Sequence, residues 1–584
     1  MKYQKAYPFG MRWVKSRLAL VAIAAMFGVF HAAASPLTLT WNGGSAGNLS
    51  DESWSGGEEG HLSPQNGDTL VFGTGGTFTS DIAGLQVAAL KFTSSSAVTI
   101  SGSEMITVLC GGEVRSTGSG TVKILAPIQA GETTGASVTF ADVGSKDNQL
   151  VINGNISGAA PIGVGAANGT VEFRGTNTFT GKLSVTNGYF NAVGKNSLGL
   201  GVEEAYFKTG NGSTAAKVTF TGVIVRTPIR NLPSNLANEI TFAYDANSTK
   251  TVFWENFTVV DNSPQWTVNG WTTVVFSNKL SVAKDFQCNV NKGGKLELSG
   301  EGSYIRGFIM SLYGESLSYA YNGTVTVTKP LKLTTVTDWG LFCPGFRKGY
   351  GIIRLMVADA FPNSKAEYGW NPFRLVTDAV GCQLDMNGYS QTFTCIRDDK
   401  KDPTNIIKSD SKPCVLHLKQ DWSRVKPGES QPGNVFYGEV KGKVSMSIEG
   451  SDPCFFSGPN TSTGDFCLTN GATAGFTSTG VWKGTNYVVS GGSTLVVSNT
   501  AAFAANSSVA LIDDAGNAAK SCLLVGDGDY SLKSMTVNGR LLYQGSWGSS
   551  ASGAKYKNDL YFKGPGVVTL ATGAPSPGMT IVFQ

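Results

Sequence analysis

The 584-residue chain is 41% apolar and 15% charged, holds 74 glycines and carries a formal net charge of +4. An apolar share of that size with so little net charge excludes a disordered polypeptide. Lys2, Lys5, Arg12, Lys15 and Arg17 fall in positions 1–34, where there is no acidic residue, so the remainder stands at +4 less 5, or −1. That balance excludes the electrostatic footprint of a nucleic-acid or anionic-membrane binder.

In chain order, positions 1–34 read as a cleaved signal peptide. The five basic residues form its n-region, Leu18 to Phe30 its apolar h-region, and Ala32-Ala33-Ala34 the small residues a signal peptidase requires. The apolar run is short for a bilayer span, and no later run approaches the roughly 18 uninterrupted apolar residues that would suggest one. The expectation is therefore a secreted or cell-surface protein with no transmembrane segment after signal removal; a periplasmic location and an uncleaved anchor are the alternatives.

Beyond position 34, short β-branched or aromatic runs are broken by Gly, Asn and Asp, and no stretch holds a 3.6-residue apolar period for a dozen residues. Segment 170–199 packs three short strands between corners: Val171 to Arg174, a polar turn at Asn177, Leu183 to Thr186, an Asn187-Gly188 turn, then a strand leading to Leu198-Gly199. That spacing predicts one coil of a parallel β-helix, in which each coil pairs with the coils above and below it. In 200–350 the same texture recurs at Val218 to Val223, Val252 to Val260, Trp271 to Phe276 and Thr324 to Leu333.

The expected fold is all-β: a long parallel β-helix (β-solenoid) in a single stack, with an N-terminal capping segment at 35–80, repeats over 81–570 and a C-terminal tail at 571–584. About 25 residues per coil and about 4.8 Å between stacked strands give roughly 22 coils and a length on the order of 100 Å.

Nine cysteines occur with no C-x-x-C spacing, which excludes a zinc ribbon or a thioredoxin-like motif. Most are expected as small core residues, with Cys382/Cys395 and Cys454/Cys467 as the pairs that could be bridged.

Gly175, Asn177, Phe179, Gly181, Asn187, Gly188, Phe190, Leu198 and Gly199 together resemble the autotransporter-associated β-strand repeat. A degenerate copy at 455–476 keeps Phe456, Gly458, Asn460, Thr461, Gly464, Asn470 and Gly471. Segment 357–393 resembles the coil that follows such a repeat, 532–570 the closing coil, and Trp41-Asn42-Gly43, Trp54 and 67–72 the opening one. The resemblance implies an exported, passenger-like repeat protein seen here without a membrane barrel.

Chemistry is sparse. Gly43-Gly44-Ser45-Ala46-Gly47 matches a nucleophile elbow, but about one such match is expected by chance in a chain this rich in Gly and Ser, and no helical pattern follows. After position 34 only His61 and His417 remain, too far apart in sequence for a zinc-hydrolase pattern. The acidic groups at 398–402, 513–514 and 527–529 lack calcium-loop spacing and read as solvated turns. No catalytic, cofactor-binding or metal-ligating residues are assigned. The candidate glycan-contact aromatics are Trp254, Trp266, Trp271, Tyr319 and Tyr321. The expected role is non-catalytic, structural or adhesin-like, with polysaccharide or cell-surface components as partners and no nucleic acid; a β-helix carbohydrate-active enzyme, a lyase or glycoside hydrolase, is the alternative.

Overall fold

A computed structural model describes residues 36–575 apart from 58–61, 132, 134, 145–146, 208–216, 232–238, 245–248, 261–264, 283–285, 306–307, 313–321, 333–350, 362–373, 378–380, 394, 399–400 and 421–434. The expected signal peptide, 1–34, lies outside the described residues. Among the described residues every regular element is a strand, there is no helix, and nothing is long and apolar enough to cross a membrane as a helix.

Period-two alternation drives these strands. In Glu439–Glu449, Val444, Met446 and Ile448 point inward while Ser445 and Ser447 face out. Strands pair in parallel, most often with the strand three ahead. Lys217–Thr221 pairs with Glu239–Ala243, which pairs with Gln265–Val268 and then Phe286–Val290, placing Val218, Ile240, Trp266 and Cys288 in one column. A second column runs through Ala205–Phe207, Ile229–Asn231, Phe257–Val259 and Leu280–Val282. A third runs through Ile224–Val225, Lys250–Phe253, Thr273–Phe276, Lys295–Leu298, Thr324–Val327 and Ile352–Leu355. The chain thus revisits each column after one rung of some two dozen residues, as from Val218 to Ile240. The stacks are long: one described sheet has 25 strands and another 15.

The stretch expected as a strand over 252–260 is two strands, Lys250–Phe253 and Phe257–Val259, which belong to different columns and are separated by a corner at Trp254-Glu255-Asn256. The reverse happens at Asn187-Gly188: Leu183–Val193 runs through it as one assigned strand, with Gly188 at φ 76° supplying the bend and the ladder register shifting there.

Inward side chains of successive rungs meet as ladders. Phe253 stacks on Phe276 at 4.7 Å, and Phe242, Phe257 and Trp266 pack around them. Each enclosed ring stabilises the fold by roughly 2–3 kcal/mol through burial, and ring pairs add about 0.5–1.5 kcal/mol.

The two motif copies behave alike. Asn177 is buried; its Oδ1 accepts the Ile156 amide of the preceding rung at 2.8 Å and its Nδ2 donates to the Ser197 carbonyl of the following one at 2.6 Å. Asn460 repeats this with the Val440 amide (2.8 Å) and the Val481 carbonyl (2.9 Å). Two residues earlier a side chain is sterically forbidden: a Cβ on Gly175 would lie 2.4 Å from the Gly154 carbonyl oxygen, and one on Gly458 would lie 2.0 Å from that of Gly438.

Antiparallel pairing occurs among the first and the last of the described strands. Trp54–Ser55 pairs antiparallel with Thr38–Trp41, the two indoles meeting edge-on at 5.2 Å. Arg540–Leu541 folds back antiparallel on Ser534–Val537, and Gly545–Gly548 on Val567–Leu570. Residues 571–574 are tied in as well: the amides of Ala571 and Thr572 donate to the carbonyls of Leu532 and Lys533, and that of Ala574 to Leu542.

Candidate functional site

The five candidate aromatics do not form one platform. Trp266 is fully buried, with Phe257 at 5.0 Å and Phe276 at 5.4 Å, because it sits on the inward column between Ile240 and Cys288. It is therefore a core residue and is withdrawn as a glycan contact. Tyr319 and Tyr321 lie outside the described residues. Trp254 and Trp271 are both open, at 54% and 55% exposure. They stand at opposite ends of neighbouring strands: Trp254 follows Phe253, whose partner is Phe276, while Trp271 precedes Thr273, so the two are separated by a distance on the order of 20 Å.

The stretch expected as a strand from Trp271 to Phe276 begins only at Thr273, and Trp271 lies in the turn before it, at a position glycine ordinarily takes. The Thr272 amide donates to the Asn269 carbonyl at 3.3 Å, closing Asn269-Gly270-Trp271-Thr272, and Trp271 occupies the left-handed position with φ 65°. One rung on, the Gly294 amide donates to the Asn291 carbonyl at 2.8 Å, closing Asn291-Lys292-Gly293-Gly294 with Gly293 at φ 73° in the same place. Glycine is the ordinary choice there; a bulky side chain costs about 1–2 kcal/mol. Backbone strain of this kind concentrates at ligand-contacting positions. The indole rests over Gly293, its Cδ2 and Cε3 3.3 Å from where a Cβ on that glycine would be, and Asn291 Nδ2 donates to Asn269 Oδ1 at 3.4 Å alongside.

Other groups share this corner. Tyr244, 49% exposed, follows Phe242 by two residues; Phe242 pairs with Val268, so Tyr244 occupies the same corner one rung earlier. Lys250 and Lys295 flank Thr273 on its two sides in register, and both are exposed, as is Lys292. Some outward charges on other strands are paired with neighbours: Glu113 with Arg115 (2.7 Å) and Lys91 (3.3 Å), Glu239 with Lys217 (2.8 Å), Asp385 with Arg354 (2.9 Å). Among the described residues neither Lys250 nor Lys295 makes an ion pair.

The other sequence leads fall to structural roles. Ser45 precedes the strand Ala46–Asn48 and gives its carbonyl to the Thr77 amide, so no nucleophile elbow forms. His417 faces outward, half-buried, between buried Leu416 and Leu418; His61 lies outside the described residues. Asp513 is held by Asn538 (3.0 Å), the Tyr561 hydroxyl (2.8 Å), the Ser521 amide (3.1 Å) and Lys520 (3.3 Å). Burial opposes its ionisation, yet those donors hold its carboxyl down to about 2. Among the described residues no three His, Cys, Asp or Glu side chains gather as a metal site. Cys467 is a free thiol, so the Cys454/Cys467 bridge is not formed; the Cys395 side chain lies outside the described residues.

Asp142 stands apart. It ends the strand Val138–Asp142, points inward and is fully buried. Its Oδ1 accepts the Gly144 amide at 3.0 Å, while Oδ2 has no partner among the described residues; Ser116, its register neighbour, is likewise buried with an unpartnered Oγ. Burial pushes the carboxyl up to about 6, against the pull of the Gly144 and Thr170 amides.

No protein-family model, curated protein or solved structure matches the chain.

Proposed function

We propose that the chain is an exported, non-catalytic β-solenoid, structural or adhesin-like, that stacks its rungs in a single body and presents corners and a sheet face to glycans at or beyond the cell surface. The observation that carries this reading is the three-column parallel ladder, in which strands return to register rung after rung with inward ladders of apolar side chains. Such a stack cannot bury its core one rung at a time and so offers an extended, repetitive exterior, the form suited to display. The resemblance of 170–199 to an exported repeat, and the basic-apolar-small order of 1–34, support the compartment.

Three measurements on the full chain test it. N-terminal sequencing after expression in a secreting host should find a start just past Ala34, and small-angle scattering should give an elongated particle. Incubation with a polysaccharide panel should give binding without turnover. Retention of the leader, a compact particle, or any shortened glycan product would overturn the corresponding part, the last in favour of a carbohydrate-active enzyme.

A further inference from the structure

We infer that the corner formed by Tyr244, Trp271, Lys250, Lys292 and Lys295 is a binding subsite for an acidic polysaccharide, an inference that rests on the glycan-contact reading above and narrows it to one place and one ligand class. Two open aromatic rings on adjacent rungs supply faces for the apolar sides of pyranose rings. The lysines supply charge: Lys250 and Lys295 stand two strand spacings apart, about 10 Å, on either side of Thr273, with Lys292 in the turn beside Trp271. Among the described residues, Glu297 on the strand of Lys295 accepts a hydrogen bond from the Ser299 hydroxyl at 2.6 Å.

A repeating carboxylate or sulfate chain laid across successive rungs meets both features at once. The left-handed backbone of Trp271 is the independent sign: the next rung builds the same turn with Gly293, so the fold does not require an indole there.

That equivalence supplies the test. Trp271→Gly should fold with an unchanged or raised melting temperature, because Gly293 already shows the turn closes around glycine. The wild-type full chain and this variant, together with the paired Lys250→Gln/Lys295→Gln variant, are titrated with polygalacturonate, chondroitin sulfate, dextran and a single-stranded oligonucleotide, at low and high salt. The expected result is binding of polygalacturonate or chondroitin sulfate that weakens with salt and falls about tenfold or more in either variant, a loss of at least one stacking or charge contact. Which of the two binds identifies the anionic group. Equal binding of dextran, unaffected by Trp271→Gly, overturns this subsite while leaving the broader display reading intact. An oligonucleotide bound as tightly as the acidic glycans, or no binding of either acidic glycan, also overturns it. Cleavage of a bound glycan overturns the non-catalytic reading but not the subsite.

Discussion

Replacing Asp142 with Asn should make the protein more stable at neutral pH, and the gain should vanish in acid. The buried carboxyl has its pKa moved from an ordinary 3.8 to about 6. A shift of that size corresponds to about 3 kcal/mol between the protonated and ionised forms, an upper limit because local opening relieves part of the penalty. The sign follows from proton uptake. Between about pH 4 and pH 6 the folded state holds a proton that the unfolded chain has released, so wild-type stability declines across that window and stays reduced above it. Asparagine keeps an acceptor for the Gly144 amide, carries no charge and places a donor where Oδ2 now lacks a partner, near the Ser116 hydroxyl. Urea unfolding of both proteins from pH 4 to pH 8, followed by far-ultraviolet circular dichroism, gives the difference directly. The variant should exceed wild type by about 1–3 kcal/mol at pH 7.5 and match it at pH 4. A difference that is constant with pH, or a variant less stable at neutral pH, would refute the reasoning.

Truncating Trp266 to Ala should cost roughly 3–5 kcal/mol, since its ring is enclosed by Phe242, Phe257 and Phe276, whereas Trp254→Ala should change the unfolding midpoint little; denaturant melts of the two compare them. Asn460→Ala should lose roughly 1–3 kcal/mol, because the Val440 amide is left buried without its acceptor, and Asn177→Ala should behave alike through the Ile156 amide; equal stability to wild type in either would remove the rung-bridging role. Cys288, fully buried with its thiol pushed well above the ordinary range by burial, should resist iodoacetamide in the native protein while partly exposed Cys467 is labelled slowly, as peptide mapping would read; rapid native labelling of Cys288 would contradict the inward column.

Much of the fold was legible because individual residues have single-valued jobs. Gly175 stands where a Cβ would strike the previous rung, and Asn177 is buried with a donor and an acceptor aimed at two different rungs, so the motif is a direct imprint of stacking. The candidate site was legible only in part, and parity explains why. Trp266 and Trp271 are five residues apart, but a strand lies under one and a turn under the other; which ring faces out depends on where the corner falls, and the corner is fixed by pairing with the rungs on either side. The link from Tyr244 and Lys250 to Trp271 and Lys295 crosses rungs of unequal length and needed the register itself. One signal was available: the turns beginning at Asn269 and Asn291, set side by side, show a tryptophan where the next copy has glycine. Asp142 gave no such signal, since an acid closing Val138–Asp142 reads as a solvated strand end until the chain beyond it is seen to fold over it.

The short reversed strands among the first and last described strands carry a consequence for assembly. A parallel ladder whose last rung is bare is a template that any copy of the same sequence fits, and growth would then be limited by supply alone. Trp54–Ser55 lies across Thr38–Trp41, and Arg540–Leu541 across Ser534–Val537, each running against the grain of the ladder it closes. An incoming parallel strand finds those hydrogen-bonding sites already taken by a strand of the wrong polarity, which disfavours the addition of a further parallel strand at these two edges.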